Sequence, residues 1–364
     1  MHALSLLFLV CALASCGGGE REGAGQSGPS SFVDALRLER ASDRRQPTTS
    51  GVEGKGQAEE LSETMITVSA VGDCALGDLR DGAGAPGSFS AELALQSDPM
   101  AYPFSGVSSV LAGDDLTIAN LEGALTNRRT PITDGLAIRG RPDYAAILTR
   151  GHVELVGLAN NHSSDYGLRG LRDTRRSLEQ HGISHFGFGT IDRRVIRGVL
   201  VVNLGYIGGR DRTLIRMVRD IERESKTAAI VIVSLHWGLE LVDVPDMVQR
   251  RLGRAAVRAG ADLVLGHHPH VLQGIETYRG RHIVYSLGNF VFGANSQPRH
   301  TQSMIYQEQF FLEQGRLKRV EGRVLPVRIS STTHRNDFRP QLLEGHERTR
   351  LLARLDRLSA ALAR

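Results

Sequence analysis

Two carboxylates, three amides and five imidazoles stand out along this sequence. They fall in the groups Gly72-Asp73, Asn120-Leu121-Glu122, Asn160-Asn161-His162, Leu235-His236-Trp237-Gly238 and Gly266-His267-His268-Pro269-His270. Taken together they form a mixed oxygen and nitrogen ligand set, which suits Zn, Mn or Fe better than Ca or Mg. A single buried His or Asn is ordinarily a hydrogen-bonded structural residue. Five such groups in succession are different, because each directly follows a short apolar run. Open α/β sheets place their binding sites at the C-terminal ends of strands, so one sheet edge could gather them all.

The elements that must position these groups can be read from periodicity. Short β-rich runs alternate with helical patterns from Met65 onward, the signature of βα units around a sheet. The strands are expected at Ile66 to Val71, Leu116 to Ala119, Val153 to Ala159, Val199 to Leu204, Ala229 to Leu235, Asp262 to Leu265 and His282 to Ser286. Gly170 to His181 reads as a helix with Leu171 and Leu178 on one face. Asp246 to Ala259 reads as another, with Val248, Leu252, Ala255 and Ala256 inward and Gly260 as its C-terminal cap. Two alternating runs, Ile305 to Leu312 and Leu317 to Ile329, flank Gln314-Gly315 and predict an antiparallel hairpin. An arginine-rich amphipathic helix over Leu342 to Leu362 is expected to pack on the domain. There is no internal repeat.

Composition bounds the function. Of 364 residues, 41% are hydrophobic, too many for a globally disordered chain, and no apolar run reaches the length of a transmembrane helix. The formal charge is +4, and only Lys55, Lys226 and Lys318 among the 44 cationic residues are lysines. The 41 arginines are spread along the chain instead of forming a block, and aromatics make up only 5%. Both facts speak against a nucleic-acid surface. Ala3 to Ser15 is a short apolar segment of secretory type, and Leu13-Ala14-Ser15-Cys16 resembles the bacterial lipobox, in which the cysteine is lipidated. Cys16 would then tether an exported protein to the inner or outer membrane of the cell envelope. Cys11 leaves with the signal, so Cys74 stands alone and no intrachain disulfide is available. The domain plan is a signal and lipobox over 1–16, a Gly- and Ser-rich linker over 17–62, a main α/β domain over 63–330 and an extension over 331–364.

The ordered motifs resemble the CapA family, the capsule or poly-γ-glutamate synthesis proteins of the metallophosphoesterase superfamily. They are Val71-Gly72-Asp73, Asn120-Leu121-Glu122-Gly123, Ala159-Asn160-Asn161-His162, Leu235-His236-Trp237-Gly238, His268-Pro269-His270 and Ser286-Leu287-Gly288-Asn289-Phe290. The resemblance covers about residues 65 to 330. It implies a calcineurin-like αββα sandwich with two mixed β-sheets and one or two divalent ions at the sheet edge. By position, Asp73 and His270 would bind the first ion, Asn161, His236 and His268 the second, and Glu122 would bridge them. His162 would be the catalytic acid. The superfamily usually opens with Asp-x-His, whereas Asp73 is followed by Cys74 and Ala75, so the first ion has fewer ligands here.

Around this set, Asn120 is expected to supply a ligand or to orient Glu122. Trp237 and Glu240 would line the pocket, with Glu240 able to accept a proton from a ligand histidine. Asn289 would shape a loop near the metals, and Arg139 and Arg141 would contact an anionic substrate. Cys74 reads as a small buried hydrophobe, and Gly187-Phe188-Gly189 is too short a signal for a dinucleotide site. A two-metal site hydrolyses phosphoesters and can equally polarise an amide carbonyl. The leading expectation is a surface-anchored, metal-dependent hydrolase acting on an anionic envelope polymer, such as poly-γ-glutamate. The rival is a non-catalytic polymer-binding or assembly subunit of a capsule synthesis complex. A nucleotide phosphatase is disfavoured, because an exported protein meets few nucleotides.

Overall fold

Strand Glu63–Ala75 turns Ile66, Val68 and Ala70 to one face and Val71 to the other, and every residue from Val68 onward is buried. A strand covered on both faces is central, and its sequence is accordingly apolar without strict alternation. The computed structural model describes residues 63–209 and 211–363. The signal segment, Cys16 and the linker lie outside the described residues.

Glu63–Ala75 pairs in parallel with Leu116–Leu121, followed by Leu155–Gly157 and Ser184–Phe186. On its other side the first half pairs antiparallel with Gln302–Glu313, while Asp73 and Ala75 pair with Asn289–Phe292. Gln302–Glu313 continues into Arg316–Arg328 as the expected hairpin. Its Gln314-Gly315 turn has φ of 51° and 72°, the left-handed geometry that a tight hairpin requires. The second sheet runs Ile275–Tyr278, Arg281–Val284, Leu263–His267, Ile230–His236, Val199–Ile207 and Asp192–Ile196, with the inner four strands parallel.

Three apolar cores define the layers. Val68, Ile118 and Leu155 of the first sheet meet Val201, Ile232 and Leu265 of the second, so the two sheets pack face to face. The outer face of the first sheet carries Val71, Ala119 and Val156. It is covered by helices Phe89–Ala94, Ser108–Leu111, Ala145–Arg150 and Gly167–Gln180, through residues such as Leu111, Leu148 and Leu178. The outer face of the second sheet carries Val202, Val231 and Val264, covered by Met217 and Ile221 of Asp211–Glu224 and by Leu252 and Ala256 of Met247–Ala259. The architecture is therefore helix, sheet, sheet, helix: an αββα sandwich of two mixed sheets.

Helix Met247–Ala259 starts with a reciprocal capping box between Asp246 and Gln249 and stops at Gly260, φ 113°. The expectation for Val248 is corrected. It is 47% exposed, because the residue of the first turn that faces inward is its neighbour Gln249, which is buried and donates to Gln273 Oε1 at 2.8 Å. The last helix, Gly345–Ala360, inserts Leu351 and Leu355 into the core between the sheets, beside strands Ile275–Tyr278 and Arg316–Arg328. Phe338 packs edge-on against Phe89 at 5.3 Å in the outer core. Among the described residues, no helix is long and apolar enough to cross a membrane.

Candidate metal centre

The register brings the polar groups to one edge. Asp73 pairs across the sheet with Asn120, and Glu122 follows the end of that neighbouring strand. His236 and His267 are partners at the ends of two adjoining parallel strands of the second sheet. The two sheets thus contribute opposing halves. Gly72 permits this closeness: a Cβ there would lie 2.2 Å from the Gly288 carbonyl oxygen, which accepts from Asp73 N at 2.9 Å. His268 and His270 have φ of 93° and 57°, left-handed values costing on the order of 1–3 kcal/mol each for residues with a Cβ. Such strain persists only where the surroundings enforce it, and here it brings both rings to the cluster.

Asp73 is held from four directions. Asn120 Nδ2 and His267 Nδ1 donate to Oδ1, both at 2.9 Å, and the His268 backbone N–H donates to Oδ2 at 3.1 Å. His270 Nδ1 lies 3.3 Å from Oδ2 and 2.8 Å from Asn289 Oδ1. Asn160 Nδ2 in turn donates to Asn120 Oδ1 at 3.0 Å, locking the amide that locks the carboxylate. Glu122 is the opposite case. It is fully buried, and neither carboxylate oxygen has a hydrogen-bond partner. Around it stand His236 Nε2 at 3.6 Å and His270 Nε2 at 3.9 Å, and Asn161 Oδ1 is 2.7 Å from His236 Nε2. Potential ligand atoms come within 4.8 Å of one another in three groups: Glu122 with His236 and His268, Asp73 with Glu122 and His270, and Glu240 with His268 and His270.

Electrostatics separates the members. Burial would push the Asp73 carboxyl up, but the hydrogen bonds from His267 and His270 outweigh it and hold the group well below its usual range. Burial, with the nearby Asp73 charge, pushes Glu122 well above its usual range. Burial also holds His236 well below, and lowers His268 with help from His270, so both rings are neutral and suited to ligation. For His270, burial is overcome by Asp73 and Glu122, which raise it to about 9. A buried acidic side chain with no donor, facing the His236 and His268 rings of lowered pKa, is an acceptor-rich hollow that fits a divalent cation.

The cluster assembles Asp73, Glu122, Asn161, His236, His268 and His270. His162 stands at its mouth, where Nδ1 is 2.9 Å from Asp165 Oδ2. A cavity of about 360 Å³ opens there, lined by His162, Glu240, His270 and Asn289, with Ile138, Leu241 and Phe292 as apolar wall and Arg299 and His300 among the remaining lining residues. Several expectations are corrected. Asn120 orients Asp73 and not Glu122, because the strand register sets it opposite Asp73. Trp237 does not line the cavity: it is 2% exposed, stacks on Tyr285 at 5.7 Å and donates its indole N–H to the Tyr285 carbonyl at 2.9 Å. As the residue next to His236 it takes the opposite face, within the outer core of the second sheet. Arg139 and Arg141 are absent from the cavity lining. Arg139 donates to the Thr126 carbonyl at 3.3 Å, while Arg141 pairs with Asp143 and lies over the Tyr144 ring. Glu240, exposed, faces His268 and His270 at the rim, and Asn289 abuts His270.

Sequence reasoning counted His267 among the five imidazoles without giving it a place of its own in the site, and Asp165, three residues after His162, was not among the expected site residues. Parity was the available signal for His267: Leu263 and Leu265, two and four residues earlier, face the core between the sheets. Cys74 is buried, with its thiol pushed to about 12 by burial, so it is a packing residue.

A family model described as bacterial capsule synthesis protein PGA_cap matches residues 67–207 and 201–294. The PGA biosynthesis protein CapA of Bacillus subtilis is 29% identical over 254 residues, which cover 63% of this chain and 66% of that protein. The capsule biosynthesis protein CapA of Bacillus anthracis is 30% identical over 220 residues, 52% of this chain and 54% of that protein. A probable polyglutamine synthesis accessory protein of Mycobacterium tuberculosis is 28% identical over 273 residues, 63% of this chain and 70% of that protein. The chain thus spans 66% of the first of these relatives and about half of the second.

Proposed function

The chain belongs to the bacterial capsule synthesis protein family PGA_cap, and from that premise we propose that it is a metal-dependent hydrolase acting on an anionic envelope polymer, at a phosphoester or a γ-glutamyl amide. The observation that carries this reading is Glu122, a buried carboxylate with two unpartnered oxygens inside a ring of imidazoles. Glu122, His236 and His268, with Asn161, would hold one divalent ion, and Asp73, Glu122 and His270 the other. When bound, such ions supply charge that acidifies an attacking water and polarises the oxygen at the scissile bond.

The chain's own groups do the rest. His162 spends Nδ1 on Asp165, leaving Nε2 to hand a proton to a leaving group in the cavity. Asp165 also accepts from Ile138 N at 2.8 Å, so one carboxylate fixes both the ring and the apolar wall beside it. Ile138, Leu241 and Phe292 thin the water around the cluster and so strengthen its electrostatics.

Metal analysis of the purified full chain, with assays on phosphodiesters and γ-glutamyl peptides, tests the reading. One or two equivalents of a divalent metal are expected. His162→Ala should keep the metal and lose about 10²- to 10⁴-fold in turnover. Metal bound with wild type and His162→Ala equally inert on every substrate would overturn the enzyme. One observation favours that outcome, a polymer-binding or assembly subunit: Asp73 is already engaged by Asn120, His267, His268 and His270.

A further inference from the structure

Beside the cluster lies a second cleft, of about 590 Å³, with arginines along one wall. Arg216, Arg219 and Arg223 come from helix Asp211–Glu224 at spacings of three and four residues, which puts them on one face of the helix. Asp220 is the single carboxylate among the cleft's lining residues. It pairs with Arg223 at 3.0 Å and Arg216 at 3.6 Å and accepts from the Tyr206 hydroxyl at 3.1 Å. Arg219 is exposed and has no ion-pair partner among the described residues. The facing loop is built for close approach. Gly187, Phe188 and Gly189 have φ of 105°, 49° and 89°, and a Cβ on Gly189 would stand 3.2 Å from Arg216 Nη2.

The cleft shares its edge with the metal centre. Ala159, in its lining, is two residues before Asn161, and Ile207, also in its lining, is the register partner of His236. Arg216 and Arg223, about 10 Å of helix rise apart, already share the Asp220 carboxylate, and Arg223 Nε also donates to Glu224 at 2.9 Å, so Arg219 is the guanidinium of this wall left for an incoming anion. Its fork can take one carboxylate of a chain in bidentate fashion, while Arg216 and Arg223, only partly compensated by Asp220 within the cleft, supply positive charge for the carboxylates that follow. Phe188 and Ile207 leave apolar surface in the same cleft, 43% and 38% exposed. Hydrocarbon between the charges of the ligand would cover that surface, whereas a polyphosphate offers none.

We propose that this cleft is a docking subsite for a linear polycarboxylate, which it feeds along the shared edge to the metal centre. The proposal rests on the reading of an anionic polymer substrate given above and adds where the polymer is held. Titrating the full chain with poly-γ-glutamate, polyphosphate and free glutamate tests it. Poly-γ-glutamate should bind with an affinity that falls as salt rises. Free glutamate should bind far more weakly. Arg219→Glu should weaken the polymer roughly tenfold or more, and Arg219→Ala less, both with unchanged metal content and unchanged turnover of short substrates. Polymer binding insensitive to Arg219→Glu would overturn the proposal, as would polyphosphate binding in place of the polycarboxylate. If wild type hydrolyses nothing yet binds the polymer through Arg219, the hydrolase reading falls and the cleft stands. Turnover of short substrates with Arg219-independent polymer binding gives the reverse.

Discussion

Asp73 and Glu122 are both acidic side chains and equally buried, and their partners divide their roles. Asp73 accepts from two side chains and a backbone amide, which stabilise its charge, whereas Glu122 has bare oxygens. An unpaired buried carboxylate costs stability unless something cationic arrives. Glu122→Gln keeps the shape and removes the charge. The metal-free variant is therefore expected to melt no lower than metal-free wild type. Only wild type should gain on adding Mn or Zn, by about 2.7 kcal/mol at a metal concentration a hundredfold above the dissociation constant. Thermal melts of both proteins with and without metal check this, and an equal gain in both would remove Glu122 from the ligand set.

Strand ends and caps set where those residues stand, and the caps can be tested one at a time. Gly260 ends helix Met247–Ala259 at φ 113°, and a Cβ there would lie 2.9 Å from the Ser225 side chain. Gly260→Ala should therefore cost about 1 kcal/mol or more from the backbone conformation alone. Denaturant unfolding measures it, and an unchanged midpoint would refute the cap. This cap was legible in the sequence, as was each strand that ends in a polar group, because an apolar run breaking off at Asp73, Glu122 or His236 marks both the strand and its tip. What stayed illegible depends on side-chain direction. Trp237 shares the strand-end motif but faces the other way, and Val248 keeps the helical spacing but leaves the inward position of the first turn to Gln249. Arg139 and Arg141 were indistinguishable from Arg219 in a chain of 41 arginines until packing assigned each a neighbour.

Across the whole molecule the segment after residue 330 belongs to the sandwich. Phe338 is fully buried in the outer core, Gln341–Leu342 pairs with Arg316–Arg328, and Leu351 and Leu355 sit in the core between the sheets. Leu351→Ala should cost about 2–5 kcal/mol. A chain ending at residue 330 should fail to give a cooperative melt, and a native-like melt of that chain would show the tail to be an accessory. The long first strand has a different consequence. Glu63 pairs with Glu313 beside the Gln314-Gly315 turn, and ten residues later the same strand delivers Asp73 to the cluster, about 33 Å away in an extended strand. Glu63 thus lies far from the reactive edge, so a tag or tether fused at that end of the strand would leave the mouth of the site unhindered.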